Sequence, residues 1–127
     1  MPLVRIALRK GTSPEFRRAV GSSIHRAMVE TIKIPEQDKF QIITEHDEGS
    51  LIYDPSYLGI ERTDGVVFIQ ITLSAGRTLE VRKALFARIA ASLKESPGTR
   101  PEDVFINLVE TQKENWSFGN GIAQYAS

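Results

Sequence analysis

Residues 67–85, VFIQITLSAGRTLEVRKAL, fall on residues 2–20, PLVRIALRKGTSPEFRRAV, when the chain is moved 65 positions along itself. Ile6 meets Ile71, Leu8 meets Leu73, Gly11 meets Gly76, Glu15 meets Glu80, Arg17 meets Arg82 and Ala19 meets Ala84. The overlay continues without a gap until 2–45 lies on 67–110, adding Glu30 on Glu95, Asp38 on Asp103, Phe40 on Phe105 and Glu45 on Glu110. Self-similarity at a fixed period marks a repeated supersecondary unit.

Each unit reads strand, helix, strand. Val4, Ile6 and Leu8 alternate with Arg5, Ala7 and Arg9, and Val67, Ile69, Ile71 and Leu73 alternate in the same way, the period of a strand. A glycine then turns the chain and a helix begins. Thr12-Ser13-Pro14-Glu15 supplies a capping hydroxyl, a proline for the first turn and an acid at capping-box spacing; the second start uses Thr78 and Glu80. Phe16, Val20, Ile24, Ala27, Met28 and Thr31 recur at helical spacing, as do Val81, Leu85, Ile89 and Leu93. The helices stop at Ile34-Pro35 and Ser96-Pro97-Gly98, and short strands are expected over 39–45 and 104–110.

Two βαβ units with right-handed crossovers predict an α+β fold, a four-stranded mixed sheet with both helices on one face. The expected organisation is one domain over 1–127: repeat 2–45, connecting segment 46–65, repeat 66–110 and tail 111–127. The sheet's other face is then bare, carrying Leu3, Ala7, Phe68, Phe105 and Val109 among Arg5, Gln41, Gln70 and Asn107, with either face open to Gln41 and Asn107. A half-apolar surface of that size predicts a homo-oligomer packed sheet on sheet. The connecting segment is long enough to be functional or to hold minor structure of its own. The tail Trp116-Ser117-Phe118-Gly119-Asn120-Gly121 suits a terminal hairpin covering a neighbouring subunit.

Composition narrows the function. Sixteen basic and sixteen acidic residues cancel, which gives no reason to expect nucleic acid or an anionic membrane as partner. No apolar run approaches a membrane span, and the first residues lack a signal peptide's apolar core, so a cytoplasmic protein is the simplest expectation. The absence of cysteine removes disulfides, thiolate metal sites and thiol nucleophiles. His25, in a helical pattern, and His46, in a polar loop, are read as non-functional, because a metal site needs three or four convergent ligands. No metal is expected, and no nucleotide or flavin motif is present, so no cofactor is expected.

Two residues carry chemistry by position. Pro2 becomes a free secondary amine if Met1 is trimmed; such an amine titrates at roughly 7.7–8.0, and burial lowers that further by penalising the cation. It could serve as a general base without a histidine. The plainer alternative is that Pro2 only defines the mature terminus. Arg77 stands directly before Thr78, the expected cap of the second helix. A helix N-terminus carries partial positive charge and unpaired N–H groups, so a cation is unfavourable there unless an anion is shared. Arginine plus helix start makes a carboxylate or phosphate site. Its repeat mate is Thr12, so the fold does not require arginine; the plainer alternative is a solvated side chain or a pair with Glu80 or Glu110.

The strings PLVRIAL, IPEQDKFQ, VVFIQITLSAGRT, PEDVFINLVE and ENWSFGNGIAQY resemble the tautomerase superfamily, and more narrowly its malonate semialdehyde decarboxylase branch, over nearly the whole chain. The resemblance implies a macrophage migration inhibitory factor-like fold, trimers, a small carboxylate substrate and an active site at the proline near a subunit boundary. It matches Pro2 to the catalytic proline, Asp38 to an acid that activates water, and Arg77 to an arginine that binds the substrate carboxylate. Trp116 and Phe118 match aromatics that wall the pocket. One departure is that the decarboxylase's second arginine aligns with Ala75. Asp38 keeps a structural alternative, because its mate Asp103 needs no catalytic role and a short carboxylate suits a turn; Trp116 and Phe118 keep packing as theirs.

These residues predict a cofactor-independent tautomerase of small 2-oxo acids, with Pro2 as base and Arg77 holding the carboxylate. A hydratase or decarboxylase of a 3-oxo or semialdehyde acid, with Pro2 protonated and Asp38 positioning water, is the second enzymatic reading. A non-catalytic, oligomeric ligand-binding module is the alternative of another class.

Overall fold

The computed structural model describes residues 2–126. Its main elements run β1 (Leu3–Arg9), α1 (Pro14–Ile32), β2 (Gln41–His46), β3 (Val67–Ser74), α2 (Leu79–Glu95) and β4 (Val104–Thr111). The sheet order is β2-β1-β3-β4: β1 pairs parallel with β2, β3 parallel with β4, and β1 antiparallel with β3 down the middle. This is the duplicated βαβ architecture read from the alternating strands and periodic helices.

Alternation decides which side chains enter the core. Val4, Ile6 and Leu8 of β1, and Val67, Ile69, Ile71 and Leu73 of β3, are buried against Val20, Ile24, Ala27 and Met28 of α1 and Leu85, Ile89 and Leu93 of α2. The outer strands add Ile43, Ile106 and Leu108. Burying a large aliphatic side chain contributes about 1.5–3 kcal/mol, so this one layer dominates the stabilising side of folding.

The helix starts differ from the sequence reading in one detail. The α1 cap is Ser13, whose hydroxyl accepts Phe16 N–H at 3.0 Å. Glu15 therefore sits one position too early for a capping box, and the Thr12 hydroxyl donates instead to Glu45 at 2.5 Å. Thr78 caps α2 as expected, accepting Val81 N–H at 3.2 Å. Before each cap, Gly11 and Gly76 take φ of 108° and 120°, a region that a side chain resists.

The face opposite the helices is open. It presents Ile42 and Thr44 of β2, Arg5 and Ala7 of β1, Phe68 and Gln70 of β3, and Phe105, Asn107 and Val109 of β4. Gln41, left open between faces, belongs to the helix side: its Nε2 donates to Gly21 O on α1 at 2.8 Å. Asn107 lies on the open face, where its Oδ1 accepts from Gln70 Nε2 at 3.1 Å.

The connecting segment holds minor structure. Leu51 is buried, Tyr57–Gly59 form a 3-10 turn, and Arg62 Nη1 donates to the carbonyls of Asp54, Tyr57 and Ile60. The tail is not a hairpin among the described residues. It turns at Lys113–Asn115, and the Gln124 side chain ties it back by accepting Phe118 N–H and donating to Gly119 O. His46, expected in a loop, ends β2.

Candidate functional site

Strand directions gather residues that are far apart in sequence. β1 and β2 begin at the sheet edge where β3 and β4 end. Leu3 faces Thr72, so Pro2, one residue earlier, lies beside the end of β3. Pro2 is buried. Val4 N–H donates to Phe40 O at 3.0 Å, which draws the approach to β2, and with it Asp38, to the same edge. Arg77 follows β3 by three residues, and Trp116 and Phe118 follow β4. All five candidate residues thus stand at one end of the sheet.

Arg77 is anchored there. Its Nη1 donates to Ser74 O at 2.9 Å, and Thr78 beside it caps α2. Glu110, one of its possible ion-pair partners, instead meets Arg82 at 3.7 Å. Trp116 Nε1 donates to Thr111 Oγ1 at 2.8 Å, and that hydroxyl donates on to Leu73 O at 3.3 Å, so β3 and β4 jointly fix the indole. Phe118 stacks on Trp116 at 5.5 Å and 8°, and Tyr125 meets Phe118 edge-on at 5.0 Å and 71°. The arrangement brings Pro2, a guanidinium at a helix start and two stacked aromatic rings to one end of the sheet. A guanidinium so placed can bind a carboxylate.

Asp38 and Asp103 now part company. Asp103 is 2% exposed and structural: its carboxylate accepts Thr63 N–H at 2.7 Å and Thr63 Oγ1–H at 2.6 Å, with Arg100 at 3.5 Å. Asp38 is only half-buried, in a turn closed by its own N–H to Pro35 O at 3.1 Å. His25 is a core histidine whose Nε2 lies 2.7 Å from Glu36 O. Among the described residues, no three His, Asp or Glu side chains gather as metal ligands, and no helix is long and apolar enough to cross a membrane.

Sequence reasoning missed three supports of this edge: the Ser74 carbonyl, Thr111 and Tyr125. Ser74 and Thr111 end their strands as a facing pair, which only register reveals. Tyr125 arrives through the folded tail, which carries no periodic signal.

Two family models, each described as Tautomerase enzyme, match residues 38–119 and 2–60. Probable tautomerase YusQ of Bacillus subtilis (strain 168) is 46% identical over 124 residues, 98% of either chain. Probable tautomerase YrdN of the same organism is 32% identical over 125 residues, 98% of this chain and 96% of its own. Among solved structures, FG41 malonate semialdehyde decarboxylase inhibited by 3-bromopropiolate superposes with a TM-score of 0.92 at 43% identity, covering 97% of this chain and 93% of that one. A fused 4-OT symmetric trimer shares the fold at a TM-score of 0.79 and 24% identity, covering 98% of each chain. A duplicated βαβ chain with a proline at the sheet edge and relatives of this closeness is an enzyme of the tautomerase superfamily, in the branch resembling malonate semialdehyde decarboxylase.

Proposed function

We propose that this chain catalyses keto–enol isomerisation of a small 2-oxo acid without a cofactor, with Pro2 as general base. The observation that carries this reading is that buried Pro2 and the Ser74-anchored Arg77 both lie at the end of the sheet where β1 begins and β3 ends. Pro2, free once Met1 is removed, takes the enol hydroxyl proton on its neutral nitrogen and returns a proton to the adjacent carbon as the carbonyl forms. Arg77 holds the carboxylate and favours negative charge developing on the neighbouring oxygen. Trp116 and Phe118 keep water from the amine, and burial disfavours its cation.

The test is Pro2→Ala, with ketonisation of a 2-oxo acid enol followed by its ultraviolet absorbance. The reading requires a fall of at least 100-fold, the typical scale of a lost general base, with unchanged far-ultraviolet circular dichroism. Full activity in this variant rules Pro2 out. Intact mass of untagged protein reports whether Met1 is removed.

Likeness to a decarboxylase at 43% identity supports a second reading, hydration or decarboxylation of a 3-oxo or semialdehyde acid with Pro2 protonated and Asp38 positioning water. Another such relative, 27% identical, is described with both decarboxylase and hydratase activities. The pH profile separates the two. Activity that rises through the Pro2 titration belongs to a base, and activity that falls belongs to an acid. Ala75, which the sequence resemblance aligns with the decarboxylase branch's second arginine, supports the tautomerase over the decarboxylase.

We also propose that copies of this chain associate through the open sheet face as a trimer. That face forms a concavity of about 540 Å³ lined by Ile42, Phe68 and Phe105 among others, with Phe68 and Phe105 in contact at 5.1 Å.

A further inference from the structure

The two helix starts share matching backbone hydrogen bonds. Lys10 N–H donates to His46 O at 2.9 Å, and 65 residues on Ala75 N–H donates to Thr111 O at 2.8 Å. Arg17 N–H and Arg82 N–H each donate at 3.1 Å to the carbonyl of their cap, Ser13 and Thr78. What happens at one start is therefore a template for the other.

At the start of α1 a carboxylate is bound. Glu45 accepts Thr12 N–H at 2.9 Å and the Thr12 hydroxyl at 2.5 Å, and meets Arg17 Nη1 at 3.3 Å. Arg17 also reaches back past the cap, donating to Thr12 O at 2.7 Å and Thr12 Oγ1 at 3.0 Å. An arginine at this helical position thus commands the residue preceding the cap. The mates of Thr12, Arg17 and Glu45 are Arg77, Arg82 and Glu110.

The second copy of this cradle is not filled in the same way. Glu110 stands 3.7 Å from Arg82, with the two side chains 36% and 35% exposed, a separation and exposure at which an ion pair is weak. No bond joins Glu110 to the residue-77 amide among the described residues. Arg82 Nε is buried and lacks an acceptor among them, an uncommon state for a buried donor.

We propose that Arg82 is a second carboxylate-binding residue beside Arg77. At α2 the substrate carboxylate takes the place that the Glu45 carboxylate takes at α1, shared between the two guanidinium groups. Glu110 competes for Arg82 and so limits how tightly the anion is held. This rests on the reading of Arg77 as the carboxylate anchor, and it adds a residue that acts on binding rather than on proton transfer.

The test compares the enol of phenylpyruvate with the enol of its methyl ester, which lacks the anion. Arg82→Gln should raise KM for the acid about tenfold, equivalent to roughly 1.4 kcal/mol, with kcat and the ester's kinetics nearly unchanged. Arg82→Lys, which keeps the charge, should recover most of the loss, and Glu110→Gln should lower KM for the acid. Equal changes for acid and ester, or no change in either, would overturn the assignment. Calorimetric binding of 3-phenylpropionate against its amide reads the same contact without turnover. Weakened carboxylate binding in Arg82→Gln therefore supports Arg82 even if the proline chemistry is wrong, and unweakened binding refutes it even if that chemistry is right. An Arg77→Gln variant with unchanged acid binding would instead remove the anchor reading alone.

Discussion

Asp38 and Asp103 occupy the same place in the two repeats, and truncating each should produce opposite phenotypes. Asp103 is 2% exposed and satisfies both the N–H and the hydroxyl of Thr63, at 2.7 and 2.6 Å. Asp103→Ala removes a buried acceptor from the Thr63 N–H and hydroxyl and frees the segment that Thr63 anchors. Hydrogen bonds to a charged group are worth about 1.5–3 kcal/mol each, so losing the two to Thr63 is expected to cost about 4 kcal/mol. For a chain of this length that is a fall in Tm of roughly 10–15 °C. Asp103→Asn keeps one acceptor for the Thr63 N–H and should cost less than half as much. Asp38 is less buried than Asp103, so Asp38→Ala should cost less than Asp103→Ala, on the order of 1 kcal/mol. If Asp38 positions water, that variant loses hydratase or decarboxylase turnover while keeping its Tm. Calorimetric melting at one fixed protein concentration, alongside turnover, checks both halves. A near-neutral Asp103→Ala would refute the buried-acceptor argument. An Asp38→Ala melt as depressed as that of Asp103→Ala would make Asp38 a structural residue like its mate.

Two further outcomes concern acid stability and assembly. The Glu45 carboxyl is held below its usual value of 4.5, first by the Thr12 hydroxyl, then by the Thr12 N–H and Arg17. A lowered folded value means stability present above pH 4.5 and lost as the pH falls through the folded value, so the advantage of wild type over Thr12→Val should shrink on acidification, measured by urea unfolding between pH 6 and about pH 3; an advantage independent of pH would refute the linkage. Phe105→Glu places a charge on the open face, where Phe105 is 50% exposed, and should convert the proposed trimer to the 14.2 kDa chain by light scattering. A wild-type chain that already runs at that mass would refute the assembly.

The fold was legible because its signals were periodic. Val4-Ile6-Leu8 and Val67-Ile69-Ile71-Leu73 fixed the buried face, and the 65-residue repeat fixed the order of elements. The outer strands were less clear. Gln41 starts β2 on the helix side because its amide can satisfy Gly21 O, a choice set by tertiary contact rather than by alternation. The capping box failed for a similar reason: Thr12 had two possible partners, and the Glu45 carboxylate from β2 outcompeted the local one. At the candidate site, Arg77 was visible as a cation misplaced at a helix start, and Trp116 and Phe118 only as aromatics near glycines. What held them, the Ser74 carbonyl and the Thr111 hydroxyl, depends on the register of two strands and leaves no local trace.

A duplicated unit begins with two equivalent sheet ends, and this chain treats them differently. At the end where β1 and β2 stop, protein groups largely pair with one another, although Arg9 Nε, like Arg82 Nε, is buried without an acceptor among the described residues. Glu45 fills the start of α1; Arg9 lies over the Tyr53 ring at 5.4 Å, pairs with Asp64 at 3.4 Å and donates to Leu51 O; Asp103 ties down Thr63. Each is a contact between a repeat and the connecting segment, or within a repeat, that removes a charge or a donor from solvent. The connecting segment lies at that same end; at the opposite end Pro2 leads into β1 and the tail follows β4. The opposite end also carries Arg77 where the first repeat carries Thr12. A guanidinium at that position adds positive charge to a helix start already short of acceptors. The repeat therefore supplies its own control: whatever distinguishes the second helix start from the first is not required by the fold, and those differences are where a ligand should be sought.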